Sequence, residues 1–182
     1  MYTGEKVRLR EYRREDIPLA QAYINKAEMK RLLSGSPFLL TLWDEEKFIT
    51  SLSASQGSNY SFAIETLAEG HYIGGCGFNR LDWKNRNCEI GIFIGDEEYQ
   101  NKGFGTDAMK ILIRLCFNQL NLYKVGLNVL SYNERALKVY RRLGFKEEGR
   151  LRQERFVDGA YHDLIIMGLL REEWAQLEKE AL

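Results

Sequence analysis

The residues best placed to do chemistry by type and spacing are Gln100-Asn101-Lys102-Gly103-Phe104-Gly105-Thr106. Two glycines one residue apart stand before a run in which Ala108, Ile111, Leu112, Leu115 and Cys116 recur at helical spacing. The first turn of such a helix has backbone N–H groups without intrahelical acceptors, and the glycines let a ligand come close to the chain. The segment reads as a cradle for a pyrophosphate or similar anion.

Three other readings of this loop compete. A nucleoside-triphosphate loop would need Gly-Lys-Ser/Thr after its first glycine, and Lys102-Gly103 is followed by Phe104-Gly105. A dinucleotide fold accepts Gly103-Phe104-Gly105-Thr106-Asp107-Ala108, but it wants an acidic residue about twenty positions later to hold a ribose. That place reads Val125-Gly126-Leu127, and the loop follows three strands rather than the first strand of a parallel unit. The plain alternative, a turn shaped by Gly103 and Gly105 into a helix, stays open on this pattern alone.

The elements that must hold this loop can be read on either side of it. Val7-Arg8-Leu9-Arg10 alternates like a strand, and Ile17, Leu19, Ala20, Tyr23 and Ile24 follow at roughly helical spacing with Asp16 as the expected cap. Residues 34–37 interrupt the pattern, and Asp44 is expected to cap a second helix carrying Phe48, Ile49 and Leu52. Three strands at 60–65, 72–81 and 87–94 follow as an antiparallel meander. After the helix over 103–119 comes a strand at 124–130, a connection that suits a parallel crossover. Asn133 then caps a helix bearing Ala136, Val139, Tyr140 and Leu143, and Gly144 stops it. Strands at 146–156 and 160–170 flank the hairpin signal Asp158-Gly159, and a short helix over 172–180 follows. The expected fold is α+β: one domain over 1–182 with a mixed, mostly antiparallel sheet and helices on both faces.

Composition narrows the partners. Lys plus Arg and Asp plus Glu both number 26, which gives no long-range attraction to nucleic acid or anionic lipid. No run approaches the roughly 18 apolar residues that would span a bilayer, and no apolar leader stands at the start, so a cytoplasmic protein is expected. Cys76, Cys88 and Cys116 form no C-x-x-C pair, and His71 and His162 are far apart, so neither a disulfide framework nor a metal site is expected.

Gln100-Asn101-Lys102-Gly103-Phe104-Gly105, after a strand and before a helix, resembles the Q/R-x-x-G-x-G/A signature of the GNAT superfamily of N-acetyltransferases. Asn133-Glu134-Arg135-Ala136 with Tyr140-Arg141-Arg142-Leu143-Gly144-Phe145 is similar to the N-x-x-A-x-x-x-Y-x-x-x-G-F segment of the same superfamily. Val7–Arg10 and the stretch from Gly149-Arg150 to Met167 look like the branch holding ribosomal-protein N-terminal and spermidine acetyltransferases. The resemblance implies acetyl-CoA as donor co-substrate and an amine as acceptor. It implies that Gln100, Asn101, Lys102, Gly103, Phe104, Gly105 and Thr106 bind the pyrophosphate, that Asn133 contacts the CoA arm, and that the backbone of Ile92, Phe93 and Ile94 pairs with the pantetheine amides beside a bulge.

Acyl transfer to an amine needs a neutral nucleophile, and an alkyl ammonium of pKa ~10.4 holds its proton at neutral pH. Glu89 is the expected base: strand phase sets Glu89, Gly91 and Phe93 opposite Cys88, Ile90, Ile92 and Ile94, and related enzymes use a Glu here. The bland alternative is a carboxylate on a solvated face. Tyr140 is the expected acid for the departing thiolate, since a phenol of pKa ~10 serving a thiolate of ~8.5 works against only ~2 kcal/mol. Its bland alternative is a core residue sharing a stripe with Ala136 and Leu143. His162 is a second candidate base, and an acyl-cysteine route is disfavoured because Cys116 sits on an apolar helix face.

The acceptor is expected at the first helices and the last hairpin, where Leu33, Phe38, Trp43 and Tyr161 mix with charges. A peptide N-terminal α-amine is the preferred class, with a polyamine or other small amine as the alternative. A non-catalytic acyl-CoA sensor is a further alternative, and a homodimer is admitted as the self-partner.

Overall fold

The computed structural model describes residues 1–34, 37–52 and 60–180. The chain runs β1 (Val7–Arg10), α1 (Ile17–Ile24), α2 (Ala27–Met29), α3 (Leu42–Leu52), β2 (Tyr60–Thr66), β3 (Tyr72–Asp82) and β4 (Asn87–Ile94). It continues through α4 (Phe104–Arg114), β5 (Lys124–Leu130), α5 (Glu134–Arg142), β6 (Lys146–Val157), β7 (Ala160–Leu170) and α6 (Arg171–Glu180). Every strand expected from the sequence is present, with ends that agree to within one residue. The interruption expected at 34–37 lies partly outside the described residues.

The strands form one sheet in the order β1-β2-β3-β4-β5-β7-β6. β4 and β5, joined by the crossover through α4, run parallel and the other neighbours antiparallel, with short turns linking β2 to β3, β3 to β4 and β6 to β7. Alternation along the strands feeds two cores. Phe62, Ile64, Ile73, Cys88 and Ile90 face α4, whose Ala108, Ile111 and Leu112 are all buried, as is Leu115 just past its end. Ala63, Tyr72 and Phe93 face the other way, against Ile17, Ala20 and Tyr23 of α1 and Ile49 of α3. Helices cover both faces, in agreement with the α+β expectation.

Two expected caps are corrected. The Asp16 carboxylate does not cap α1. It is taken by the buried Arg10 guanidinium, at 2.7 and 2.9 Å, and by the N–H of Arg13. Burial works against the charge on Arg10, but bonds to Asp16 and Glu65 outweigh it and raise its pKa above the usual value. Asp44 lies inside the first turn of α3 rather than before it: it accepts from Thr41 N and Oγ1, while Thr41 Oγ1 accepts from Asp44 N. Thr41 is therefore the cap, in a reciprocal box that the sequence announces as Thr-x-x-Asp.

The helix expected over 103–119 begins as α4 at Phe104 and relaxes into a wider turn over Leu115–Gln119, closed by Leu120 N–H on Leu115 O at 3.1 Å. The expected cap of α5 is present, with Asn133 Oδ1 accepting from Ala136 N at 3.1 Å.

Candidate active site

The decisive feature is where β4 and β5 stop pairing. Their ladder contains Asn87↔Lys124, Cys88↔Val125 and Glu89↔Gly126, and then β4 continues to Ile94 and β5 to Leu130 without a partner across the gap. The opening is a cleft of about 580 Å³ lined by Glu89, Ile92, Phe93 and Ile94 on one side and Asn128, Val129 and Leu130 on the other. Backbone polar groups in a sheet interior need partners, so an edge left open here is an edge offered to a ligand. The bulge expected beside it lies on β3: between Phe78↔Ile90 and Arg80↔Glu89 the extra residue is Asn79.

One end of the cleft is the glycine-rich loop. Asp96 accepts from Glu98 N at 3.0 Å and so starts the 3-10 turn Glu97–Tyr99 that leads into the loop. Asn101 and Gly103 take positive φ of 58° and 87°, and the first intrahelical bond of α4 is Asp107 N–H to Gly103 O. The N–H groups of Phe104, Gly105 and Thr106 are thus free of helical acceptors at the helix start. Gln100 is fixed by its own amide: Nε2 donates to Ile94 O at 3.0 Å and Oε1 accepts from Arg135 at 2.9 Å. Arg135 also reaches Glu28 at 3.1 Å, which joins α2 and α5 across the cleft mouth.

Asp107 secures this loop from behind. Its buried carboxylate accepts from the N–H groups of Glu5, Lys6 and Val7 at 3.1, 2.8 and 3.0 Å. The segment leading into β1 is thereby bolted to the first turn of α4. Lys6 adds a bond from Nζ to Lys102 O at 2.9 Å.

Of the expected site residues, Glu89, Ile92, Phe93, Ile94, Gln100, Asn101, Gly103, Gly105, Thr106, Asn133 and Tyr140 line this one cleft. Lys102 and Phe104 stand outside it; the Phe104 ring packs edge-on against Tyr99, with centroids 5.0 Å apart. Glu89 is half-buried, and Asn79 Nδ2 donates to its Oε1 at 3.4 Å. Tyr140 packs its ring near Phe145 and borders the cleft, and burial pushes the phenol up to about 12.

His162 stands apart, its ring against Tyr132 with centroids 4.6 Å apart. Cys88 and Cys116 face each other in the core at 3.8 Å. Its contact with Cys88 and its burial both push the Cys116 thiol up, against thiolate chemistry. Among the described residues there is no group of three His, Cys, Asp or Glu side chains that could hold a metal, and no helix is long and apolar enough to cross a membrane.

Sequence reasoning missed several cleft residues. Asn79 enters through a register shift, Met29 at the end of α2, and Glu154, Arg155, Phe156 and Val157 through the last hairpin, while Leu33, expected at the acceptor entrance, does line the cleft. Only Arg135 carried a usable signal, since it falls inside the Asn133–Ala136 segment.

The comparisons with known proteins agree with this geometry. The chain matches the acetyltransferase (GNAT) domain family over residues 6–146. It is 31% identical over 179 residues to the spermidine N(1)-acetyltransferase of Escherichia coli K12, covering 96% of this chain and 91% of that one. It is 38% identical over 108 residues to a putative ribosomal N-acetyltransferase of Bacillus subtilis, covering 59% and 58%. The structure superposes on that of the Vibrio cholerae spermidine N-acetyltransferase in complex with CoA and spermine with a TM-score of 0.84 at 26% identity, over 93% of this chain and 98% of that one. A parted pair of strands, a glycine-rich helix start at one end and a family match spanning both make one conclusion: the chain belongs to the GNAT acetyltransferases and is an N-acetyltransferase that uses acetyl-CoA.

Proposed function

We propose that the whole of 1–182 is one catalytic domain that acetylates the N-terminal α-amine of a peptide or protein in the cytoplasm. The observation that carries this is the charge of the cleft's acceptor half. Among the described residues lining the cleft the carboxylates are Glu89 and Glu154, and they are set against Arg135 and Arg155, with Met29, Leu33 and Phe156 supplying apolar surface. A polyamine spreads several cations along its length and is best met by a row of carboxylates. One amine followed by uncharged or mixed residues suits this balance better.

In the proposed reaction Glu89 accepts the proton of the attacking amine, directly or through a water, as the nitrogen bonds to the thioester carbonyl carbon. The C–S bond then breaks and the thiolate takes a hydrogen bond from Tyr140. With the phenol at about 12, complete proton transfer to a thiolate of ~8.5 would be uphill by ~5 kcal/mol. Tyr140 therefore acts chiefly as a donor that stabilises developing negative charge. The free edges of Ile92–Ile94 and the start of α4 at Gly103, Gly105 and Thr106 hold the pantetheine and pyrophosphate, with Gln100, Asn101 and Asn133 at the margins.

The similarity to spermidine acetyltransferases over nearly the whole chain favours a second reading, polyamine acetylation. One assay separates them: release of free CoA thiol from acetyl-CoA, with free N-terminal peptides, polyamines and amino-sugars offered in parallel. Preference for peptides supports the proposal, and preference for spermidine or spermine replaces it with the second reading. Acetyl-CoA binding without turnover on any amine would leave a sensor. Sedimentation of the purified protein tests the homodimer.

A further inference from the structure

The β6–β7 hairpin holds an irregularity that the chemistry above does not use. Between the pairs Leu151↔Leu164 and Arg155↔His162, β6 places Arg152, Gln153 and Glu154 opposite Asp163 alone. Two extra residues in one strand must bend it and turn the side chains that follow. Gln153 takes φ of 53°, a conformation that a residue with a Cβ keeps only when its surroundings hold it there.

Asp163 is what holds it. Its Oδ1 accepts from Gln153 N at 2.9 Å and its Oδ2 from Arg150 NH1 at 3.1 Å. Its main-chain oxygen accepts from Ser131 N at 3.0 Å, just beyond the end of β5 where the cleft opens. One residue thus joins the bulge to the frame of the cleft. The Gln153 N–H and Arg150 keep the Asp163 carboxyl below the usual range, so it is charged whenever the protein is folded near neutral pH.

Glu154, the last residue of the bulge, and Arg155 to Val157 after it form the outer wall of the cleft together with Leu164, while Asp163 itself does not line it. The hairpin tip is tied across the mouth as well: Arg31 Nε meets Asp158 Oδ2 at 2.7 Å, and Tyr132 OH donates to Arg31 O at 2.5 Å. The wall is therefore suspended between the Asp158 contact at its tip and Asp163 at its root.

We propose that Asp163 is a positioning residue for acceptor recognition, fixing the β6 bulge so that Glu154, Arg155 and Phe156 meet the molecule that carries the amine. This rests on the transferase reading of the cleft. The wall shares no residue with the glycine-rich loop, so disturbing it is expected to weaken acceptor binding and spare acetyl-CoA.

The test is steady-state kinetics on the full chain with a short peptide bearing a free N-terminus and, separately, with spermidine. For Asp163→Ala the acceptor KM is expected to rise about tenfold, from loss of a charge-assisted bond to the bulge, with kcat and the acetyl-CoA KM within about twofold of the parent. Asp163→Asn keeps an oxygen for the Gln153 N–H and is expected to recover most of the loss. Arg150→Ala, which removes only the ion pair, is expected to stay near the parent. An unchanged acceptor KM in Asp163→Ala overturns the proposal. So does a fall in kcat with a matching rise in both KM values, which marks a general loss of structure. If Asp163→Ala does not fold, Gln153→Gly, which loosens the bulge while leaving Asp163 in place, is expected to raise the acceptor KM severalfold with kcat and the acetyl-CoA KM near the parent, and an unchanged acceptor KM overturns the proposal. Absence of turnover by the parent on every amine overturns the transferase reading itself, whereas the outcomes above arise only when the parent is active.

Discussion

Glu89 and Gly126 form the last pair of the β4–β5 ladder, so the carboxylate stands at the fork where the two strands part. The side chain lines the cleft, and the neighbouring Asn79 Nδ2 donates to its Oε1 at 3.4 Å. Glu89→Gln keeps the shape of that fork and removes the proposed base. The expected result is a fall in kcat of about 10²-fold or more, with the acetyl-CoA dissociation constant unchanged by calorimetry.

Tyr140→Phe removes one hydroxyl from a ring that packs near Phe145 and borders the cleft. Thermal stability is expected to stay near the parent while kcat falls about tenfold or more. Because burial places the phenol at about 12, it stays protonated at any ordinary assay pH. The alkaline side of the parent's pH–rate profile is expected to show no loss from Tyr140 up to about pH 10. A tyrosine-dependent decline between pH 8 and 9, absent in the Phe variant, would contradict this.

Gly103 has φ of 87° at the entrance to α4. An alanine there must either bear a left-handed conformation, at about 1–2 kcal/mol, or move the loop. Gly103→Ala is expected to weaken acetyl-CoA binding in titration calorimetry more than it alters kcat at saturation.

Asn133→Ala removes the side-chain cap of α5, with an expected stability loss of about 1 kcal/mol in denaturant unfolding. As Asn133 also borders the cleft, the acetyl-CoA KM should rise. Asn133→Ser, which can still cap, separates the two effects: stability returns, and the KM returns only if the hydroxyl reaches the ligand.

Acid should loosen the molecule at Glu65. Burial opposes its charge, but Arg10 and Arg8 outweigh that and hold the carboxyl below its usual value. A carboxyl whose pKa is lowered by folding adds stability that is complete above the ordinary carboxylate range and is lost as pH falls through the folded value. The melting temperature is therefore expected to fall between about pH 5 and pH 3. Glu65→Gln should be less stable at pH 7 and should show a shallower dependence.

Much of this was legible in the residues because local signals and tertiary structure agreed. Asn133 with Gly144 bounds α5, Asp158-Gly159 closes its hairpin, and the glycines at 103 and 105 open α4. Asp16 and Asp44 depart from the expected capping role for one shared reason. An aspartate before an apolar run reads as a cap, yet a buried arginine claimed one and a threonine three residues earlier claimed the other. The cleft positions of Asn79 and of residues 154–157 were hidden for a different cause. They depend on register shifts at Asn79 and across 152–154, which are decided by pairing between distant strands and leave no period in the chain.

The three-pair junction between β4 and β5 has a mechanical side. It divides the sheet into a block of β1 to β4 and a block of β5, β7 and β6, each knitted by longer antiparallel ladders than the seam between them. Pulled apart across its strands, the sheet would part first at Asn87–Glu89, and a molecule bridging the open edges would act as a stitch across that seam. Substrate loading would then be felt as stiffness throughout the sheet, and a single-molecule force measurement with and without acetyl-CoA would register it as a higher rupture force.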